Sequence, residues 1–296
     1  MSSVLVESIV MGLIFSVLTI GVFITFKILD FPDMSVEGTF PLGAFVFSKA
    51  LSMGMNSING MVFAFLAGAI GGLITYVLYR KFKIQSILSG ILTMTFLYSV
   101  NLRITGTSNI TFFEYKTVFQ IFESMPKILI LLIIVFVIKI LMDTFLKTEK
   151  GYLLLATGDN ESLVKSLGKN PDKYICLGLM ISNALAALSG TLMAQSNGYA
   201  DITMGQTIIV SALASITIGD AFLKNSRFIK RTTRAIFGAI IYRIIYGVAI
   251  HIGLAPSDLK AITAIIVVIF ILYNNASSLG MNILKEKKRE QSVKNK

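Results

Sequence analysis

Apolar residues along this chain gather into runs long enough to cross a lipid bilayer, and shorter polar stretches separate them. Two examples are residues 128–145, ILILLIIVFVIKILMDTF, and residues 261–273, AITAIIVVIFILY. Spanning a bilayer takes about 20 residues of helix, and lipid offers no partner for free backbone N–H and C=O groups. None of these runs alternates with the two-residue period of an outer-membrane barrel strand. The pattern predicts an all-α polytopic membrane protein.

The hydropathy pattern predicts about nine transmembrane segments. They cover residues 5–28, 37–54, 58–79, 84–101, 127–146, 174–196, 204–222, 235–252 and 260–275. The segment 37–54 is the weakest, because it is short, polar at its start and interrupted by Pro41. A short segment broken by Pro and Gly is typical of the discontinuous helices that line transport pathways. We therefore predict a broken second helix, in which residues 29–42 are either re-entrant or a loop.

The distribution of Lys and Arg predicts the orientation of these segments in the membrane. With the N-terminus outside and the C-terminus inside, 20 basic residues fall in inside connections and in the tail, and five fall outside. Cytoplasmic loops of membrane proteins carry such an excess of Lys and Arg. The basic tail, residues 276–296, is then cytoplasmic and able to contact anionic lipid.

Composition and charge narrow the possible functions. The chain is 54% hydrophobic and 15% charged, with a formal charge of +11. Because its basic residues cluster between the spans, membrane topology explains the charge and nucleic-acid binding is not expected. The sequence contains no G-x-x-x-x-G-K-[ST] loop, a single His and no His/Cys cluster with metal-ligand spacing. We therefore expect no enzyme activity, no metal site and no cofactor in this chain.

A short motif occurs twice and suggests an internal repeat. Residues 33–39 read DMSVEGT and residues 201–207 read DITMGQT. Each opens a helix rich in small residues, and the two follow spans of opposite direction, as in an inverted-topology repeat. Chance remains an alternative, because the motif is short and several of its positions match only loosely. With true repetition, a transmembrane domain covers residues 1–275, with one repeat at about 5–146, a cytoplasmic loop at 147–173 and the second repeat at about 174–275.

Polar residues around these motifs are candidates for a substrate pathway. The segment that follows the first span is too polar for lipid and too short for a domain, although an ordinary loop is the alternative. Asp33 and Ser35 are good helix N-cap residues, and an acid such as Glu37 suits a first helical turn. The predicted pathway residues are Asp33, Ser35, Glu37, Thr39, Asn183, Gln195, Asp201, Thr203 and Gln206.

The loop 147–173 contains a second candidate site, a short amphipathic helix. Asp159 or Asn160 is positioned to cap it, Leu163, Val164 and Leu167 are expected to form one apolar face, and Gly168 to end it. A helix of about eight residues is marginal in water and needs a surface on which to pack. That surface is either a partner protein such as an ATPase or the chain's own helix bundle.

Two of the predicted spans carry basic residues at membrane depth. Lys139 precedes Asp143 by one helical turn, which predicts an ion pair. Arg243 lies in the middle of AIFGAIIYRIIYGVAIHIG. A buried Arg usually faces a carboxylate or carbonyl partner, so we predict a structural ion pair to Asp220, Asp30 or Asp33 and keep contact with a ligand as the alternative.

Three stretches resemble a known family. Residues 33–44, DMSVEGTFPLGA, resemble a motif of ABC-transporter permeases for branched-chain amino acids and ribose, and residues 154–222 and 241–264 resemble tryptophan/tyrosine-type ABC permeases. The resemblance covers most of residues 5–275. Glu37 and Gly38 depart from the motif, which usually has Gly at its fifth position.

The resemblance implies the membrane-spanning permease of an ABC importer, located in the cytoplasmic membrane. It implies that residues 158–168 form a helix that couples to a cytoplasmic ATPase, through Gly158, Asp159, Asn160, Glu161, Leu163 and Gly168. The implied partners are that ATPase, which binds ATP, an extracytoplasmic substrate-binding protein and a second permease chain, which gives a homodimer. The solute is then a small molecule, with an aromatic amino acid favoured. The alternative is a secondary transporter driven by an ion gradient.

Overall fold

The chain folds into a bundle of α-helices with one small pair of strands. A computed structural model describes residues 2–112, 115–223 and 229–254, with residues 258, 261, 263–265, 268–270 and 272. The helices are α1 (Ser2–Phe23, continued by a π-helical turn Ile24–Ile28), α2 (Val36–Ser52), α3 (Ser57–Arg80), α4 (Ser86–Thr105), α5 (Val118–Ile121), α6 (Lys127–Phe145), α7 (Glu149–Asp159), α8 (Glu161–Ser166), α9 (Pro171–Asn197), α10 (Ile208–Leu223) and α11 (Arg231–His251).

Seven helices in the described part of the chain are long and apolar enough to cross a membrane. They correspond to seven of the nine predicted spans. The predicted second span is the 17-residue helix α2, which is buried along nearly its whole length inside the bundle. The predicted ninth span, residues 260–275, and the basic tail fall largely outside the described residues. The prediction of a polytopic all-α membrane protein is confirmed.

Helix α9 lies at the centre of the bundle and contacts α1, α2 and α3. Three of these contacts bring backbone against backbone, because a glycine faces a main-chain carbonyl. Gly43 of α2 meets Ala187, Gly72 of α3 meets Leu179, and Gly190 of α9 meets Phe40. A Cβ at any of the three would collide with main-chain atoms. Helices α10 and α11 pack against each other and against α1.

The predicted break before the second helix is present. After the π-helical turn, Asp30 adopts a left-handed conformation with φ of 51°, and α2 begins at Val36. Pro41 lies inside α2, where it removes the intrahelical bond to the carbonyl of Glu37. Gly205 packs against that same carbonyl and against the Pro41 ring. A side chain at Gly205 would not fit there.

A second break, which the hydropathy pattern did not predict, precedes α10. The predicted span 204–222 is divided into a 3₁₀ turn at Ile202–Gly205 and the helix α10. Between them Thr207 has φ of 60°. The strands β1 (Asn109–Thr111) and β2 (Tyr199–Asp201), also unpredicted, pair antiparallel just before this break. The helices that follow the two breaks, α2 and α10, therefore begin inside the bundle, where they contact each other.

Candidate functional site

Four of the predicted pathway residues form one buried hydrogen-bonded cluster, made of Asp33, Ser35, Thr39 and Asn183. The amide of Asn183 donates to Asp33 Oδ2 at 2.8 Å. The hydroxyls of Ser35 and Thr39 donate to Asn183 Oδ1 at 3.0 Å and 2.8 Å. Ser35 also donates its backbone N–H to Asp33 Oδ1 at 3.0 Å. All four side chains are fully buried.

This Asp33 cluster fixes the start of α2 against α9. Each buried polar group in it has a partner, as the high cost of an unsatisfied group in an apolar interior requires. Its side chains have no exposed surface in this chain, and that they line a pathway stays a prediction. The sequence analysis identified residues that meet in space, and their hydrogen bonds join the start of α2 to α9.

The second copy of the motif forms the same local turn. Thr203 donates its backbone N–H to Asp201 Oδ1 at 2.7 Å, just as Ser35 does to Asp33. Here the turn is partly exposed, and Asp201 and Thr203 line a cavity of about 400 Å³ together with Asn109 and Tyr199.

Glu37 connects the two helix starts. Its carboxylate faces the backbone N–H groups of Thr207 and Ile209, at the beginning of α10. The first N–H groups of a helix have no intrahelical partner and carry partial positive charge, which a carboxylate satisfies. Glu37 and Gln206 also line a cavity of about 290 Å³ with Tyr98, Ser99 and Asn101 of α4.

Gln195 lies apart from these residues. Its side-chain oxygen accepts from the backbone N–H of Val118 at 2.9 Å, so it holds the short helix α5 on α9. It is three helical turns along α9 from Asn183, a distance of about 18 Å at 1.5 Å per residue. The structure does not bring it to the Asp33 cluster.

The coupling segment is built from two helices that meet at Asn160. Asn160 is extended, and its side chain accepts from the backbone N–H groups of Ser162 and Leu163 at 2.9 Å and 3.3 Å. It is therefore the N-cap of α8, one of the two caps expected. Gly168 ends the segment with a left-handed φ of 70°, as predicted.

The expected single apolar face of α8 is wrong. Val164 is fully buried, whereas Leu163 and Leu167 are 50% and 59% exposed. The i,i+1 relationship explains the division, because neighbouring residues on a helix point in different directions. Val164 packs inward, and the two leucines remain as an exposed apolar pair.

Tight packing and ion pairs hold this segment on the bundle. Gly158 of α7 lies against the carbonyl of Ile28, at the end of the first helix. Arg80 at the end of α3 donates to Glu161 at 2.6 Å and pairs with Asp172 of α9 at 2.8 Å. Lys169 pairs with Glu149 at 2.9 Å, and this hydrogen bond raises the pKa of Lys169. Asp159 follows Gly158 as the last residue of α7.

The predicted pair of Lys139 and Asp143 is confirmed at 2.8 Å. Asp143 also accepts from Lys230, at 2.9 Å, and from Thr232. The carboxylate thereby connects α6 to the start of α11. These two further partners were not predicted, because they lie almost 90 residues away in the chain.

The prediction of an ion pair for Arg243 is not met within the described part of the chain, where no carboxylate lies within 4.0 Å of it. Asp33 is held in its cluster and Asp220 lies 3.9 Å from Lys27. The Arg243 guanidinium instead stacks on Phe15, 3.3 Å from the ring centroid. Two of the three candidate carboxylates, Asp33 and Asp220, therefore have other partners.

Arg243 borders a cavity of about 370 Å³ that we call the Arg243 cavity. Its walls include Phe15, Gln206, Ser211, Tyr242, Arg243 and Tyr246. Sequence reasoning missed every one of these residues except Gln206 and Arg243. The available signal was the position of Tyr242 and Tyr246 on the same apolar helix as Arg243.

Possible metal ligands do not form a cluster in the described part of the chain. Across residues 2–112, 115–223, 229–254 and the other described positions, no group of three or more His, Cys, Asp or Glu side chains is arranged to hold a metal ion. The chemistry that these sites offer is hydrogen bonding and charge, supplied to a solute or to another protein.

Comparison with known proteins identifies the family. Residues 4–272 match the family "Branched-chain amino acid transport system / permease component". The chain is 46% identical to the tyrosine transport system permease protein of Clostridioides difficile, over 89% of each chain. It is 23% identical to the ribose import permease of Haemophilus influenzae, over 82% of this chain and 76% of that protein.

One solved structure has a related fold. PsaBC from Streptococcus pneumoniae in complex with Fab aligns with a TM-score of 0.50 and 17% identity, over 89% of each chain. At that identity the likeness concerns the fold alone. With a family match that spans nearly the whole sequence, the chain belongs to the permease components of ABC-type branched-chain amino acid transport systems.

Proposed function

We propose that this chain is the translocation subunit of an ABC importer for a small solute, namely an amino acid such as tyrosine or another aromatic one. Family membership supports the transport role, and the 46% identity to a tyrosine permease supports the solute class. A partner ATPase binds and hydrolyses ATP. An extracytoplasmic binding protein delivers the solute, and a second copy of the chain completes the path in the cytoplasmic membrane.

The exposed leucine pair of α8 carries the proposal for ATPase coupling. Leu163 and Leu167 project apolar surface from a segment that Gly158, Glu161 and Val164 fix to the bundle. Exposed apolar side chains on a rigid support are suited to a partner's groove, where burying a leucine contributes about 2 kcal/mol. Movement of the ATPase would then reach α3 and α9 through Arg80.

The proposed topology has the N-terminus outside and the C-terminus inside, with two inverted repeats at about 5–146 and 174–275. The two Asp-x-Ser/Thr turns support this arrangement, because each precedes a helix that restarts in the interior. Glu37 and Gln206 lie where the start of α2 meets the start of α10. They are the best candidates to contact the pathway, since both border a cavity.

Co-purification tests the proposal. The permease is purified in mild detergent from its native membrane, and the amount of co-purifying P-loop ATPase per permease is measured. We expect Leu163→Ala/Leu167→Ala to lose most bound ATPase while its amount in the membrane is unchanged. Phe82→Ala is the matched control, because Phe82 is 66% exposed in the turn that follows α3. Full retention of ATPase by the double variant contradicts the docking role.

Uptake of labelled tyrosine tests the solute class. Cells or proteoliposomes that contain the permease, its ATPase and its binding protein are expected to accumulate tyrosine only with ATP inside. Accumulation that persists without ATP and follows an imposed proton or sodium gradient would instead establish a secondary transporter.

A further inference from the structure

The Arg243 cavity contains a positive charge that the described part of the chain does not neutralise. Among the described residues that line it there is no Asp, Glu or second basic residue. Arginine remains protonated in proteins, and a charge removed from water without a partner is costly. Stacking on Phe15 at 3.3 Å, with the Tyr246 ring at 5.2 Å, offsets part of this cost. The buried Nε of Arg243 has no hydrogen-bond partner.

The walls of the cavity favour an aromatic or apolar body beside that charge. Phe15, Tyr242 and Tyr246 supply aromatic rings, and Met193 and Met204 supply adaptable apolar surface. The volume of about 370 Å³ falls in the range of small-molecule sites, which are mostly apolar with a few placed polar groups. The Ser211 hydroxyl, held 3.1 Å from the Tyr242 hydroxyl, and the Gln206 side chain supply such groups.

A single guanidinium matches a singly charged planar anion. Its fork of N–H donors fits a carboxylate through two parallel hydrogen bonds. The neighbouring helix start is less available to that anion, because the Glu37 carboxylate faces the N–H groups of Thr207 and Ile209. For a zwitterion, the oxygens of Gln206 and Ser211 are available to accept from the ammonium group.

We propose that the Arg243 cavity binds the carboxylate end of a small aromatic or apolar solute, with Arg243 as the anion-binding residue and the tyrosine and phenylalanine rings around the solute's body. The inference rests on the proposed function in one respect, namely that this solute is the one that the permease carries. An anionic lipid offers the same kind of charge through its phosphate, and the experiment separates the two sources.

Thermal unfolding in nanodiscs tests the site directly. The full-length chain, with any subunits that co-purify, is placed in phosphatidylcholine nanodiscs and titrated with L-tyrosine, 3-(4-hydroxyphenyl)propionate or tyramine. The first two carry a carboxylate and are expected to raise the Tm, whereas tyramine is not. Arg243→Gln is expected to weaken the response about ten- to hundredfold in concentration, and Arg243→Lys to retain part of it.

Two further variants keep the test decisive. Arg103→Gln removes an exposed arginine near the end of α4 and is expected to respond as the wild type does. Val210→Phe fills the cavity wall without altering Arg243 and is expected to abolish the response. It supplies the answer if Arg243→Gln does not fold.

Several outcomes overturn the proposal. They are an unchanged response of Arg243→Gln, an unchanged response of Val210→Phe, or no response of the wild type to either carboxylate. Stabilisation by phosphatidylglycerol that requires Arg243, without any effect of the carboxylates, assigns the cavity to a lipid phosphate. Failure of the proposed function is distinguishable, because it shows as absent ATPase binding or absent ATP-dependent uptake, neither of which enters the Tm titration.

Discussion

Arg80 donates to Glu161 at 2.6 Å and so joins the last residue of α3 to the first residue of α8. The same guanidinium pairs with Asp172 at the start of α9. The ends of three helices thereby share one cation. Because α8 carries the exposed leucine pair, this contact is one route by which a force on α8 reaches α3 and α9.

Arg80→Gln and Glu161→Gln are each expected to reduce uptake more than they reduce stability. The pair is partly exposed, so its loss should lower the free energy of unfolding by about 1 kcal/mol or less. Uptake should fall severalfold, because α8 is no longer held to α3. The double variant should be no worse than either single variant, which a double-mutant cycle on uptake measures. Additive losses would show that the two residues act separately.

Lys169→Gln is the matched control for that cycle. It breaks the ion pair with Glu149, in which Lys169 and Glu149 are 47% and 74% exposed. Exposed pairs contribute little to stability. Uptake and Tm should both remain near the wild-type values.

Asn183→Ala should strongly destabilise the chain. It leaves Asp33, Ser35 and Thr39 without their shared partner in a fully buried position. Each unsatisfied buried group costs about 1–3 kcal/mol, so the Tm in detergent should drop clearly. Thr95→Ala is the control, because the exposed Thr95 hydroxyl bonds only to its own helix. A Tm within a degree or so of the wild type for Asn183→Ala would contradict the structural role of the Asp33 cluster.

Gly158→Ala should disturb the packing of α7 on the end of the first helix. The added methyl group would collide with the carbonyl of Ile28, and overpacking of this kind costs about 1–3 kcal/mol. Limited proteolysis of the 147–173 loop should become faster and uptake should fall. Lys150→Ala, an exposed change in the same helix, should alter neither. Unchanged proteolysis of Gly158→Ala would show that the helix can move away without loss.

Asp143→Asn should loosen the contact between α6 and α11. The carboxylate, which is 8% exposed, bridges Lys139, Lys230 and Thr232. Leaving Lys139 without its partner should cost about 2 kcal/mol or more, seen as a lower Tm. Lys230→Ala should cost less, because Lys230 is 51% exposed. Equal effects of the two variants would argue against Asp143 as the centre of the bridge.

Hydropathy and local motifs predicted much of this fold. Long apolar runs predicted seven helices correctly, because a helix that faces either lipid or the bundle core needs apolar residues. Asp33, Pro41 and the small residues predicted the broken second helix. The Asn160 cap and the Gly168 end were also predictable, since both depend on residues close in sequence.

The rest depends on contacts between residues far apart in the chain. The second break at Thr207 was hidden inside an apolar run, and the carboxylate that stabilises it comes from Glu37, 170 positions earlier. The same separation concealed the partners of Asp143 and the rings around Arg243. Hydropathy assigns a residue to a membrane-spanning helix, but it does not identify the neighbouring helix that the residue faces.

The glycine contacts around α9 limit how the bundle can change shape. At Gly43, Gly72 and Gly190 main chain meets main chain with no side chain between to change rotamer. Sliding α2 or α3 along α9 by one residue would replace a glycine with a larger residue at the point of closest approach. These three helices therefore behave as one rigid body. We therefore expect a transport cycle to tilt or rotate that body as a whole against α10 and α11, with its internal registers unchanged.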